Sequence, residues 1–288
     1  MSRVLLAALV AVLALASAAQ AQSSDVRRVV LVDGSILVGT VVDESSDPVV
    51  ITTQNGVEQR IPRAQIELIA PLIDGRFYRV DPTRTRLILS PTGRTLGAGK
   101  KRVGTLLYIV PNATFGLTDR VDVGGTLFLS FGSDYASLVP VVGAKVGLVD
   151  TGSFAFAIGA NAGTEIGQSD GGTFVATPYA AVTAGSELRS VSASVTGFVG
   201  ADIGAGDVAA ADGVLLSVGG EIQLNNGLKL LADVGLPISD GVNGAIIAPG
   251  VRLFGDRYSV DLFGAVVTGE GDDGLGGFAP IANFAFTF

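Results

Sequence analysis

From about residue 84 to its end, the chain consists of short segments in which apolar and polar side chains alternate. In 228–236, Leu228, Leu230, Ala232, Val234 and Leu236 fall on one face of an extended strand, and Lys229, Leu231, Asp233 and Gly235 fall on the other. In 257–266, Tyr258, Val260, Leu262 and Val266 oppose Arg257, Ser259 and Asp261. In 189–203, Val191, Val195, Val199 and Ile203 oppose Ser190, Ser192, Ser194, Thr196 and Asp202. In 228–236 the charges keep to one face, so a slip of one residue would turn them onto the apolar side, and the pattern itself sets the register. Closing such strands with the polar face inward gives the inverse of a soluble barrel.

The connections between these segments are of two kinds. Short ones occur at Leu117–Arg120, Val149–Gly152, Ser186–Arg189, Leu224–Gly227 and Phe254–Arg257, and longer Gly/Asp-rich ones around 132–136, 166–172, 204–213, 237–243 and 268–277. The two kinds take turns, as periplasmic turns and external loops do in an outer-membrane barrel. The chain stops on Phe284-Ala-Phe-Thr-Phe288, with three aromatics on alternate positions. That ending resembles the last strand of bacterial outer-membrane β-barrels, and the resemblance implies that Phe284, Phe286 and Phe288 form the signal read by the barrel-assembly machinery. With that end in the periplasm, 103–115 runs downward as one strand, and Arg84–Thr95 must precede it as the first strand. The fold expected is all-β: an antiparallel up-and-down transmembrane barrel of 12 strands over 84–288, with 10 as the alternative count.

The amino terminus fits an exported protein. Arg3 precedes an apolar run from Val4 to Ala16, and Ala19-Gln-Ala21 is a cleavage pattern, so 1–21 reads as a signal peptide and Gln22 as the mature start. The apolar run is shorter than the roughly 18 residues of a spanning helix. With 40 Gly and 48% hydrophobic residues, the chain is too apolar for disorder and too rich in Gly for a helical protein. It has no Cys and no His, which removes disulfides, thiolate chemistry, His-ligated metals and a Ser-His-Asp triad, and no G-x-S-x-G elbow is present. No enzyme, cofactor or metal is expected. A net charge of −8 argues against a nucleic-acid partner. Against the membrane reading stand the absence of Trp and only 5 Tyr, which thin the interfacial girdles. An exported soluble β-barrel or sandwich is the alternative, in the periplasm or secreted.

Residues 27–70 read as a separate small five-stranded β domain, joined to the barrel by a linker over 71–83. β-Branched runs at 29–32, 36–42, 49–53, 57–61 and 66–69 are separated by Asp33-Gly34, Ser45–Pro48 and Asn55-Gly56, which are turn-forming sequences. The order "LVDGSILVGTVV", "VVITTQNG", "RIPRAQIELI" resembles the Sm-like and SH3-like small barrels, with Gly34 and Gly39 where those folds turn and bend. The region is neutral, with 9 basic and 9 acidic residues from Asp25 to Thr95, so RNA binding is not carried over. A protein-contact role in the periplasm, through an exposed edge strand, is expected instead. Arg60, Arg63, Arg76, Arg79, Arg84, Arg86 and Arg94 read as solvated or lumen-facing charges, with contact to lipid phosphate or an anionic polymer as the sharper option.

The stretch Thr85 to Phe128, with "TRLILSPTGRTLGAGK" and "YIVPNATFGLTDRVDVGG", also resembles an uncharacterised group of bacterial exported proteins, a likeness that implies kinship and no mechanism. Alternation assigns Arg86, Arg94, Lys145, Glu165, Asp202, Glu221, Lys229, Asp233, Arg252 and Asp261 to the lumen. Such a balanced set suits an interior salt-bridge network or the lining of a narrow pore. Nothing places Glu165 beside Asp202 as an acid–base pair. Glu270, Asp272 and Asp273 lack the spacing of an EF-hand loop. Two roles follow: a narrow pore for small solutes in the outer membrane, or a barrel embedded in lipid that anchors the small domain for a periplasmic protein partner.

Overall fold

The computed structural model describes residues 26–44, 46–73, 76–131, 136–164, 173–202, 213–238, 244–269 and 276–288. The expected signal peptide, the mature start at Gln22, Glu165 and the 269–274 carboxylates Glu270, Asp272 and Asp273 lie outside them. Two compact units divide the chain between Val80 and Asp81.

The first unit is antiparallel throughout. Its strands are β1 (Val26–Leu31), β2 (Ile36–Val41), β3 (Val49–Thr53), β4 (Glu58–Ile61), β5 (Ile66–Ile73) and the short β6 (Arg76–Phe77), in the order β4-β3-β2-β1-β5-β6. The turns are those the sequence predicts: Gly34 and Gly56 adopt φ of 83° and 75°, and Asp33 accepts the Ser35 N–H at 2.8 Å. Val29, Val49, Ile51 and Ile61 form the core. A 3-10 turn at Arg63–Gln65 separates β4 from β5, and among the described residues no ladder joins those two strands. Of the stretch expected as a linker, Pro71–Ile73 belong to β5, while Asp81 and Thr83 belong to the second unit.

The second unit is a closed antiparallel barrel. It runs through β7 (Lys101–Leu106), β8 (Val110–Thr118), β9 (Val121–Phe131), β10 (Ala136–Asp150), β11 (Phe154–Thr164), β12 (Thr173–Gly185), β13 (Arg189–Gly197), β14 (Val199–Asp202), β15 (Val214–Asn225), β16 (Leu228–Ile238), β17 (Gly244–Phe254), β18 (Tyr258–Gly269) and β19 (Gly276–Thr287). β13 and β14 both pair with β12 and are one strand interrupted at Phe198, so the barrel has 12 strands. The last strand closes on the first, with Phe284 opposite Thr105 and Thr287 opposite Arg102.

The count of 12 is reached by a different route from the one expected. Arg84–Thr95 is not a strand; apart from a single bridge between Arg86 and Pro91 it is irregular, and it lies inside the barrel. Pro91 offers no N–H to a ladder, and Leu87 is fully buried. The twelfth strand comes instead from 103–115, which is folded into the β7–β8 hairpin by a tight turn in which Leu107 and Tyr108 take φ of 49° and 68°.

The wall has the inverted polarity that the alternation predicts. Phe115, Ile158, Val195, Leu230, Leu262 and Phe284 are exposed on the outside, whereas Lys229, Asp233, Arg252 and Asp261 are buried within. The short turns after β8, β10, β12, β15 and β17 lie at one end, together with the C-terminus. Phe154, Tyr258, Phe286 and Phe288 are exposed near that end, with the last two rings 4.8 Å apart.

Candidate functional site in the barrel lumen

Residues 81–98 enter the lumen from the short-turn end, reach a tip at Leu89-Ser90, and return to start β7. This plug has few internal backbone bonds, among them Leu87 N–H to Ser90 O at 3.0 Å and Thr92 N–H to Thr85 O at 3.1 Å. Its remaining polar groups must find partners in the wall, since a buried unpaired amide or hydroxyl costs on the order of 1–3 kcal/mol. They do so on nearly every side. Asp233 of β16 accepts from the Leu89 and Ser90 N–H groups at 2.9 and 2.8 Å and from the Ser90 hydroxyl. Thr183 of β12 accepts from Gly93 N–H, and Asp122 of β9 from Leu96 N–H. The hydroxyls of Thr83 and Ser259 are 2.6 Å apart. Arg94 donates to Gly185 O, and Arg84 pairs with Glu187 at 3.4 Å.

A charged network holds the entry of the plug. Arg252, fully buried on β17, grips Asp261 of β18 with Nε and Nη2 at 2.5 and 3.1 Å. Its Nη1 reaches Asp81 at 2.8 Å and Thr83 O at 2.9 Å, and Nη2 also reaches Leu87 O at 3.0 Å. Lys229 bridges Asp81 and Glu221 at 3.2 Å each. Burial pushes the Asp81 carboxyl up, but the Arg252 and Lys229 charges outweigh it and hold it well below the usual carboxylate range. Satisfied on all sides, such a network fixes one position of the plug.

Apolar contacts complete the seat. Ile88 packs on Leu231, Ala248 and Phe263, with Ile281 at the margin. Two wall glycines make the room: a Cβ at Gly219 would come within 2.6 Å of Leu87 Cδ1, and one at Gly250 within 3.2 Å of Ile88 Cδ1.

Beyond the plug, toward the end with the long connections, lies a cavity of about 420 Å³. Arg86 and Ser90 of the plug and Arg102, Asn112, Asp122, Lys145 and Asp233 of the wall supply its charged and strongly polar lining. Burial, and after it the Arg102 guanidinium, push Arg86 down to about 9. Lys145 donates to the carbonyls of Thr85 and Arg94 at 3.0 and 2.6 Å, and Arg102 to the hydroxyls of Thr85 and Thr114.

The residues assigned to the lumen by alternation divide into three sets. Lys145, Glu221, Lys229, Asp233, Arg252 and Asp261 are buried on the inner wall, where Glu221, Lys229, Arg252 and Asp261 join one network. Arg86 and Arg94 are inside the barrel but on the plug. Asp202 ends β14, while Glu165 is outside the described residues. Phe284, Phe286 and Phe288 face outward. Sequence reasoning missed Arg102 and Asp122, although each stands between outward residues, Lys101 and Val103 for one and Val121 and Val123 for the other. It also missed Asp81, for which no periodic signal exists. Among the described residues there is no group of three metal-ligating side chains and no helix long and apolar enough to cross a membrane.

A closed antiparallel barrel that is polar within and apolar without has the architecture of an outer-membrane β-barrel protein. No protein-family model and no curated protein matches the sequence. Among solved structures, the chain is similar to outer-membrane expressed OmpT of Vibrio cholerae, with a TM-score of 0.32 and 11% identity over 65% of this chain and 93% of that chain. A likeness that distant supports nothing about the role of this protein.

Proposed function

We propose that the protein is a non-catalytic outer-membrane β-barrel, closed on its periplasmic side by residues 81–98, that anchors the 26–80 sheet for contact with a periplasmic protein. The observation that carries this reading is the plug itself. A segment bonded to β9, β12, β16, β17 and β18 through buried side chains favours a sealed barrel over a passive pore for small solutes. The apolar exterior supports contact with lipid, and the exposed aromatics at the short-turn end support an interface at that level. Phe288, at the end of the closing strand, fits an assembly signal for the barrel-assembly machinery. In the 26–80 unit, β4 ends its sheet with an unpaired edge among the described residues, a template for strand addition by a partner.

The test combines fractionation with planar-bilayer recording of the full chain. Outer-membrane fractionation, altered gel mobility on boiling and no persistent conductance are expected. A soluble periplasmic protein, or long-lived unitary steps from the unmodified chain, would overturn the reading.

A further inference from the structure

Three residues that line the cavity beyond the plug each carry a buried donor atom with no acceptor among the described residues. Arg86 Nε, Arg102 Nε and Asn112 Nδ2 are all buried, and among the described residues none has a hydrogen-bond partner. Arg102 is only 7% exposed. None of Arg86, Arg102 and Lys145 has a carboxylate at ion-pair distance among the described residues, in contrast to Lys229 and Arg252 a few strands away. The two carboxylates in the lining are already engaged by plug donors, Asp122 by Leu96 N–H and Asp233 by Leu89, Ser90 and the Ser90 hydroxyl. Two buried guanidinium groups therefore lack a counter-charge beside two committed carboxylates.

Buried guanidinium groups without a counter-charge are costly, and a guanidinium fork suits the paired oxygens of a carboxylate or phosphate. We propose that this cavity binds a small oxyanion-bearing solute, a carboxylate or phosphate, whose oxygens are taken by Arg86, Arg102 and Asn112. The volume of about 420 Å³ falls within the range of small-ligand sites. Leu106, Tyr179 and Leu215 in the same lining leave an apolar side for a short carbon skeleton. The cavity lies on the side of the plug away from the short turns, so the site is compatible with a barrel sealed at that end and does not depend on membrane location.

Calorimetric titration of the folded full chain in non-ionic detergent at low salt tests this, with succinate, inorganic phosphate and uncharged erythritol as probes. Saturable binding of succinate or phosphate is expected, with none for erythritol, and the arm that saturates distinguishes carboxylate from phosphate. Arg102→Gln and Asn112→Asp should each weaken the bound anion by about tenfold or more, the second by placing a negative charge at the site. Should Arg102→Gln lose the folded gel mobility, Asn112→Asp decides alone. Binding of neither anion, equal binding of erythritol, or unchanged affinity in the folded variants would overturn the proposal. None of these outcomes bears on fractionation or conductance.

Discussion

Arg252 on the barrel wall donates to Asp81 on the plug at 2.8 Å while the same guanidinium holds Asp261 on the adjacent strand. One side chain thus ties the inserted segment to a ladder of the barrel. Replacing Asp81 with Asn leaves Arg252 paired with Asp261 and Lys229 paired with Glu221, so the loss is that of charged hydrogen bonds, roughly 1.5–3 kcal/mol. Arg252→Met leaves Asp81 and Asp261 buried beside too little positive charge and should cost more, roughly 3–5 kcal/mol. Urea midpoints followed by unboiled gel mobility should fall in that order.

The Ile88 seat makes a second expectation. Ile88→Ala removes most of a buried side chain from among Leu231, Ala248 and Phe263, at a cost of about 2–5 kcal/mol. Because the barrel ladders are untouched, the loss falls on the plug. Planar-bilayer recordings of Ile88→Ala should show brief openings that the parent lacks, with the boiled-to-unboiled mobility shift retained.

Gly93 tests the closeness of plug and wall. A Cβ there would lie 2.3 Å from the Ala155 carbonyl oxygen, a backbone atom that cannot swing aside. Gly93→Ala should displace the plug locally and lower stability by about 1–3 kcal/mol. Faster amide exchange at Gly93 and Leu96, whose N–H groups bond Thr183 and Asp122, would accompany it.

The two sides of the alternation were readable to different depths. Lys229, Asp233, Arg252 and Asp261 could be placed inside because their strands alternate cleanly, and the wall obeys that period. Residues 84–95 carry a similar short alternation, Leu87 and Leu89 against Arg86 and Ser90, yet they form no strand. What decides their position is pairing with residues far along the chain, as in Ser90 with Asp233, 143 positions away, and no local period encodes that. The β7–β8 turn was hidden for another reason: Leu107 and Tyr108 take positive φ without the Gly or Asn that usually marks such a turn. The cavity depended on both, since Arg86 comes from the plug and Arg102 from the strand the turn creates.

Leu262 addresses the exterior. It is exposed on the outer face of β18, so in a soluble barrel Leu262→Arg would be nearly neutral. In lipid an outward Arg costs about 2–4 kcal/mol near the midplane. Folding into phospholipid vesicles should be impaired for Leu262→Arg and close to normal for Leu262→Ala.

A crosslink between plug and wall tests whether residues 81–98 fill the lumen. The chain has no Cys, and the hydroxyls of Thr83 and Ser259 are 2.6 Å apart, so Thr83→Cys with Ser259→Cys introduces the only thiols, at contact distance. If residues 81–98 fill the lumen, mild oxidation of the folded double variant will yield one intramolecular disulfide, resistant to maleimide labelling until reduced. Two freely labelled thiols in the folded barrel, with no disulfide after oxidation, would contradict it.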